Sequence, residues 1–184
     1  GLIKAAYLDP NPVLILEHKG LYWSKIPGTE GARTIEPDSD YIIPIGNARI
    51  VLKADNSFVN SGTSVVVISY GRGIYWTLEA AKFYNGQIEV LDLRTLNPLD
   101  EKQIFKSSKL HGKVLIVTEE PNSSSFSLGL AGKIQKNCFE YLDAPVEIVG
   151  SENTPAIPLN ENLEYAYLPN AQKIKKILSK LLEY

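Results

Sequence analysis

The stretch Ser69-Tyr70-Gly71-Arg72-Gly73 lies between a run of apolar β-formers and a helical pattern, and it is the arrangement most open to chemistry. Glycines at a strand-to-helix turn let a pyrophosphate approach backbone N–H groups, and an acid about 20 residues further on, here Asp92, would hold a ribose hydroxyl. The third glycine position is Trp76, whose bulk opposes close strand–helix packing, so the motif reads as a structural turn with dinucleotide binding as its alternative. His18 and His111 are the two histidines of the chain, and no Cys/His cluster surrounds either, which excludes zinc-type spacing. Glu119-Glu120 ends a strand pattern. Paired acids can do acid–base work, but neighbours on an extended chain point to opposite sides, so a structural or interface role is expected. Ser123–Ser125 lacks a nucleophile-elbow context and reads as a helix-capping loop. Asp9-Pro10-Asn11-Pro12 is a rigid turn, in which a carboxylate, an amide oxygen and carbonyls can alternatively converge on a cation that prefers oxygen.

The elements that position these residues emerge most clearly around Ile88–Asp100. Ile88–Leu93 reads as a buried strand, Asn97-Pro98 breaks it, and Asp100 three residues before Gln103 is a capping-box pattern opening a helix. Strands are expected at Arg49–Lys53, Ser64–Tyr70, Val114–Thr118 and Val146–Val149. Helices are expected at about Arg72–Tyr84, about Glu101–Leu110, along the stripe Leu130, Ala131, Ile134, Cys138 and Leu142, and from Asn170 as N-cap to about Glu183. Four strands thus alternate with helices as in an α/β domain, preceded by one strand of undetermined direction. Upstream, Leu2–Tyr7 reads as a short amphipathic piece and Val13–Leu16 as a strand. Glu17–Asp40 reads as a long loop with three glycines and two prolines. The domain boundary is placed near Tyr41, separating residues 1–40 from 41–184.

With 184 residues, 44% of them hydrophobic and 22% charged, the chain needs neither disulfides nor metal to hold a core. Cys138 is the sole cysteine, which fits a reducing compartment and a cytoplasmic location. Nineteen basic and 21 acidic side chains give a net charge of -2 without long blocks, and nothing asks for nucleic acid. The basic residues Lys173, Lys175, Lys176 and Lys180 read as the solvated face of an amphipathic helix. The apolar runs Val65–Ile68 and Val114–Val117 fall far short of the ~20 residues of a membrane span. The absence of methionine is read as a sign that the chain is part of a longer polypeptide.

Several segments, in order, resemble the beta subunits of thiamine-diphosphate-dependent 2-oxo acid dehydrogenases. They are Asp9-Pro10-Asn11-Pro12-Val13, Glu17-His18-Lys19-Gly20-Leu21-Tyr22, Ile43-Pro44-Ile45-Gly46-Asn47-Ala48, Val67-Ile68-Ser69-Tyr70-Gly71 and Leu78-Glu79-Ala80-Ala81. Val90-Leu91-Asp92-Leu93-Arg94-Thr95-Leu96-Asn97-Pro98-Leu99-Asp100, Thr118-Glu119-Glu120, Tyr141-Leu142-Asp143-Ala144-Pro145 and Tyr167-Leu168-Pro169 continue the series. The chain departs from the common pattern at Gly28–Asp40, which is more like forms that fuse alpha and beta parts, and at His18, where proline is usual.

The resemblance implies an α/β fold of three layers, α/β/α, with a five-stranded mixed, mostly parallel sheet of the transketolase C-terminal type. Residues 1–40 would be the tail of an upstream pyrimidine-binding domain. The parent reaction would be oxidative decarboxylation of a branched-chain 2-oxo acid or pyruvate, with the branched-chain type preferred, and acyl transfer to lipoamide. Thiamine diphosphate and magnesium would be held by an alpha part and upstream residues, so no catalytic or cofactor-binding residue is assigned to this chain, and His18 and His111 receive no role. By the same resemblance Ala6, Asp9 and Asn11 would help hold a potassium ion, Ala6 through its carbonyl. Asp143 and the terminal carboxylate of Tyr184 would dock the lipoyl-bearing dihydrolipoyl acyltransferase, with Ala144-Pro145 ending the helix before Asp143. The alpha part and a second copy of this domain would be the other partners. The alternatives are a dinucleotide-binding module and the C-terminal domain of another thiamine enzyme, such as a transketolase or deoxyxylulose-phosphate synthase relative; Tyr141–Pro145 and Asp9–Pro12 argue against the latter.

Overall fold

The computed structural model describes residues 1–23 and 26–184. Leu2–Leu8 forms α1, Lys19–Tyr22 is a single turn, α2, and Glu30–Ala32 is one 3-10 turn. The expected strand at Val13–Leu16 is absent: these residues join no ladder, and Leu14 and Leu16 are 85% and 81% exposed. Their composition suits a strand, but no neighbouring strand supplies hydrogen bonds, and β propensity does not act without one.

From Arg49–Leu52 (β1) onward the chain builds one sheet. A short helix, Asn56–Asn60 (α3), follows β1, with Asp55 as N-cap. Then come Val65–Ser69 (β2), Arg72–Ala81 (α4), Ile88–Asp92 (β3), Glu101–His111 (α5), Val114–Pro121 (β4), Phe126–Cys138 (α6), Glu147–Ser151 (β5), Glu161–Tyr167 (α7) and Ala171–Leu182 (α8). Asp100 Oδ1 accepts the Gln103 N–H at 3.0 Å, as the capping pattern requires. The reciprocal half of the box is not formed, because the Gln103 amide turns instead to Ser107 Oγ at 3.1 Å. α7 had no counterpart in the sequence reading; Asn160 caps it by accepting the N–H groups of Asn162 and Leu163.

The strand order is β1-β3-β2-β4-β5, with β1 antiparallel to β3 and the other pairs parallel. Alternation along the central strands divides the core. Val65, Val67, Val90, Leu115 and Val117 pack with Ile74 and Ala80 of α4 and Ile174, Leu178 and Leu181 of α8. Val66, Ile68, Leu91, Val114 and Ile116 face Ile104 of α5 and Leu130, Ile134 and Cys138 of α6. The result is the three-layer α/β/α arrangement with a mostly parallel five-stranded sheet. No described helix is long and apolar enough to cross a membrane.

Candidate functional site

Leaving β2, the chain crosses to β3 on one side and later returns to β4 on the other, so the strand order reverses between β2 and β4. Their carboxyl ends flank the crevice where open α/β sheets bind ligands. Here the crevice is furnished by Tyr70–Gly73 and Thr118–Glu120; most of these polar side chains are committed within the chain, while Arg72 Nε and Thr118 Oγ1 are buried without a hydrogen-bond partner among the described residues. Ser69 Oγ donates to the Val117 carbonyl at 2.7 Å, and a Cβ on Gly73 would lie 2.2 Å from that hydroxyl oxygen. Gly73 is therefore required by the packing of α4 against the sheet, not by the approach of a phosphate. The Arg72 guanidinium stacks on Trp76, 4.8 Å from the ring centroid. Asp92 Oδ1 accepts the Arg94 N–H at 3.1 Å, holding a turn in which Arg94 has φ 58°. Burial pushes the Asp92 carboxyl above its ordinary value, against the opposing pull of Arg94 and Arg49. An acid tied to its own turn is poorly placed to hold a ribose, and the geometry favours the structural reading of the glycine motif.

Glu119 and Glu120 do point apart. Glu120 accepts the N–H groups of Phe126 at 3.0 Å and Ser127 at 2.9 Å, so the α6 N-terminus is filled by the chain's own carboxylate. Ser125 completes that cap by accepting the Leu128 N–H at 3.2 Å, while Ser123 Oγ donates to Asn153 at 2.7 Å. Glu119 instead pairs with His18, whose Nε2 lies 3.0 Å from Oε2, which fastens the N-terminal segment to the carboxyl end of β4. Tyr70 sits edge-on to Phe126, and burial with the charges of Glu120 and Glu119 pushes its phenol up to about 12.

A second polar cluster lies at the opposite end of the sheet. Ser107 Oγ donates to Glu89 Oε1 at 2.5 Å, Ser64 Oγ lies 2.7 Å from His111 Nδ1, and His111 Nε2 is 3.5 Å from Glu89 Oε2. The His111 side chain is 0% exposed, so no substrate reaches it. The sequence carried one signal for this cluster: an acid inside the apolar run Ile88–Leu93 must find partners when the strand is buried.

The cation-turn residues lie together on the surface. Asp9 Oδ1 accepts both the backbone N–H and the side-chain amide of Asn11, at 2.9 and 3.0 Å. The backbone bond, then the side-chain bond, hold the Asp9 carboxyl below its ordinary value. The Ala6 carbonyl accepts the Asp9 N–H at 3.3 Å. Asp143 is exposed, and its N–H donates to the Gly112 carbonyl at 2.8 Å. Pro145 does not end the preceding helix: α6 stops at Cys138, and a 3-10 turn at Phe139–Tyr141 intervenes before Asp143. The anchor of Asp143 is Gly112. Tyr184 is 58% exposed beyond the end of α8. The Lys180–Glu147 pair, at 2.6 Å, ties that end of α8 to the start of β5, the strand that follows Asp143.

The family described as transketolase, C-terminal domain, matches residues 56–174. The chain belongs to this family. It is 33% identical over its whole length to the 2-oxoisovalerate dehydrogenase subunit beta of Bacillus subtilis, covering 53% of that protein. It is 32% identical over 95% of its length to the pyruvate dehydrogenase E1 component subunit beta of Rhizobium meliloti, covering 35% of that protein. The chain thus spans about half of the first relative and about a third of the second. A solved split-gene transketolase in an inactive beta4 tetramer superposes with a TM-score of 0.61 over 79% of this chain and 45% of its own, at 20% identity, which speaks for the fold alone.

Proposed function

We propose that this chain is the C-terminal assembly domain of the decarboxylating component of a 2-oxo acid dehydrogenase complex, with residues 1–40 as the tail of a preceding pyrimidine-binding domain. The observation that carries this reading is the end-to-end similarity to a 2-oxoisovalerate dehydrogenase beta subunit, which continues through residues 1–55, outside the matched family region. The parent enzyme oxidatively decarboxylates a 2-oxo acid and passes the acyl group to lipoamide. The substrate proposed is a branched-chain acid, that of the relative at 33% identity, with pyruvate, the substrate of relatives at 32–34%, as the alternative. The expected setting is the cytoplasm, with the alpha part, a second copy of this domain and the lipoyl-bearing dihydrolipoyl acyltransferase as partners.

Thiamine diphosphate and magnesium belong to the parent enzyme and supply the carbanion chemistry when bound there. This chain does not suit them at α5, α6 or α8, whose N-termini are occupied by the side chains of Asp100, Glu120 and Ser125, and Asn170. The work of this chain is positional. Ala6, Asp9 and Asn11 offer a carbonyl, a carboxylate and an amide oxygen, a donor set that suits a hard monovalent cation such as potassium once further oxygens complete the shell. Asp143 presents negative charge to the acyltransferase's small basic binding domain, with Tyr184 as a second docking residue.

The test is surface plasmon resonance of that binding domain on the full parent enzyme carrying Asp143→Ala or lacking Tyr184. For a desolvated charge pair, the loss of docking should be roughly 2–5 kcal/mol, mainly as faster dissociation. Wild-type affinity in both variants would remove the docking assignment.

A further inference from the structure

We propose that Gly112 is the positioning residue of the docking face, a seat that holds the Asp143 carboxylate in place before the basic partner arrives; this rests on the reading of Asp143 as a docking acid. Gly112 follows the last residue of α5 in the left-handed conformation, φ 66°, and its N–H closes the helix on the Ser108 carbonyl at 3.0 Å. Its own carbonyl accepts the Asp143 N–H at 2.8 Å. A Cβ on Gly112 would lie 2.2 Å from Asp143 Oδ2 and 3.1 Å from the Tyr141 carbonyl, so the carboxylate rests across the bare Cα.

The seat cannot slide. On one side of Gly112 the buried His111 imidazole is bonded to Ser64 at 2.7 Å and lies against Glu89. On the other, Lys113 is only 3% exposed and its ammonium donates to the Gly62 carbonyl at 2.6 Å. Both anchors grip the same turn, residues 62–64, ahead of β2. Among the described residues no cation pairs with Asp143, so its charge is positioned and unspent. A group already ordered loses little freedom on binding, which is where the affinity of a small polar interface is won.

The experiment measures binding of the acyltransferase's basic domain to the full parent enzyme by surface plasmon resonance, beside thermal unfolding. Asp143→Ala should weaken docking by about thirtyfold or more. Gly112→Ala should weaken it comparably and add little on top of Asp143→Ala, because both remove the same placed charge. Gly71→Ala is the control for backbone strain: its φ is 58° and a Cβ there meets nothing within 4 Å. It should lower thermal stability while docking stays at wild type. Lys113→Met keeps the buried stem and drops the Gly62 bond, giving a gentler variant with an intermediate loss of affinity. Wild-type affinity in Gly112→Ala and Lys113→Met, with Asp143→Ala impaired, would overturn the seat alone. Wild-type affinity in Asp143→Ala would instead sink the docking reading on which the seat rests.

Discussion

Replacing Gly73 by alanine tests whether the glycine motif serves packing or ligand approach. The new Cβ would stand 2.2 Å from Ser69 Oγ and 3.1 Å from the Val117 carbonyl. The hydroxyl must therefore rotate away and abandon its buried 2.7 Å bond to Val117. A lost buried hydrogen bond costs about 1–3 kcal/mol and local overpacking about as much again. Removing a glycine from a helix returns up to about 1 kcal/mol, leaving Gly73→Ala destabilising by about 1–6 kcal/mol, centred near 3. Ser69→Ala alone forfeits one hydrogen bond, about 1 kcal/mol. In the double variant the offending oxygen is gone, the Ser69 Cβ lies 3.6 Å away, and the helix gain remains. The double variant should therefore be more stable than Gly73→Ala by about 2 kcal/mol; with the cost of about 1 kcal/mol for Ser69→Ala alone, this is a coupling of about 3 kcal/mol, well outside the few tenths expected of independent sites. Urea denaturation of the four proteins measures it, with the midpoints compared at constant slope. Additive losses would refute the packing account and return Gly73 to the list of residues kept for a ligand.

The buried Glu89 gives a pH prediction. Burial is the largest single influence and pushes its carboxyl up, but His111, Ser107 and the charge of Lys53 outweigh it and hold it below the ordinary 4.5. A depressed folded-state value means that the stabilisation is complete above pH 4.5 and is lost as the pH falls through the lower value. Glu89→Gln should thus be less stable than wild type at pH 7, with the difference narrowing in acid; a gap constant with pH would refute the pairing. Tyr70 should remain un-ionised in absorbance titration until about pH 12, and Glu120→Gln should lower that midpoint by removing a nearby negative charge. Neither NAD nor thiamine diphosphate with magnesium should raise the melting temperature of the 184-residue chain; a shift growing as RT ln(1 + [L]/Kd) would contradict the crevice geometry. In the full parent enzyme, Asn11→Ala should abolish any extra stability in potassium over sodium, and an unchanged potassium preference would count against the cation turn.

What the sequence disclosed follows from how local each signal is. β2, β3 and the start of α5 were legible because an apolar run, a proline and a capping acid act within a few residues. The adjacency of Glu119 and Glu120 likewise pointed to side chains facing apart. Val13–Leu16 misled because apolar composition does not reveal whether a partner strand exists. α3 and α7 escaped because helices of five and seven residues are too short to show a periodic stripe. The His18–Glu119 pair joins residues 101 apart, and the rest of Asp143 on Gly112 depends on a tertiary contact between two loops. Neither leaves a mark that pattern reading can find.

The division of the core between two faces has a consequence for how the chain acquires its shape during synthesis. The fully buried residues of the α5/α6 face have all been made by Cys138, and Leu142, Val146 and Ile148 pack against it soon after. The opposite face is half covered by α4 and waits for α8, which begins only at Ala171. While the ribosome adds the residues between, Val66, Ile68, Val114 and Ile116 are covered by α5 and α6, whereas Val65, Val67, Leu115 and Val117 form a hydrophobic wall that α4 only half covers. A nascent chain in that state is a natural client for holdase chaperones. The arrival of Ile174, Leu178 and Leu181 is the event that retires the chaperone, so a ribosome stall before Ala171 should strand a half-folded, sticky species and not a smaller stable domain.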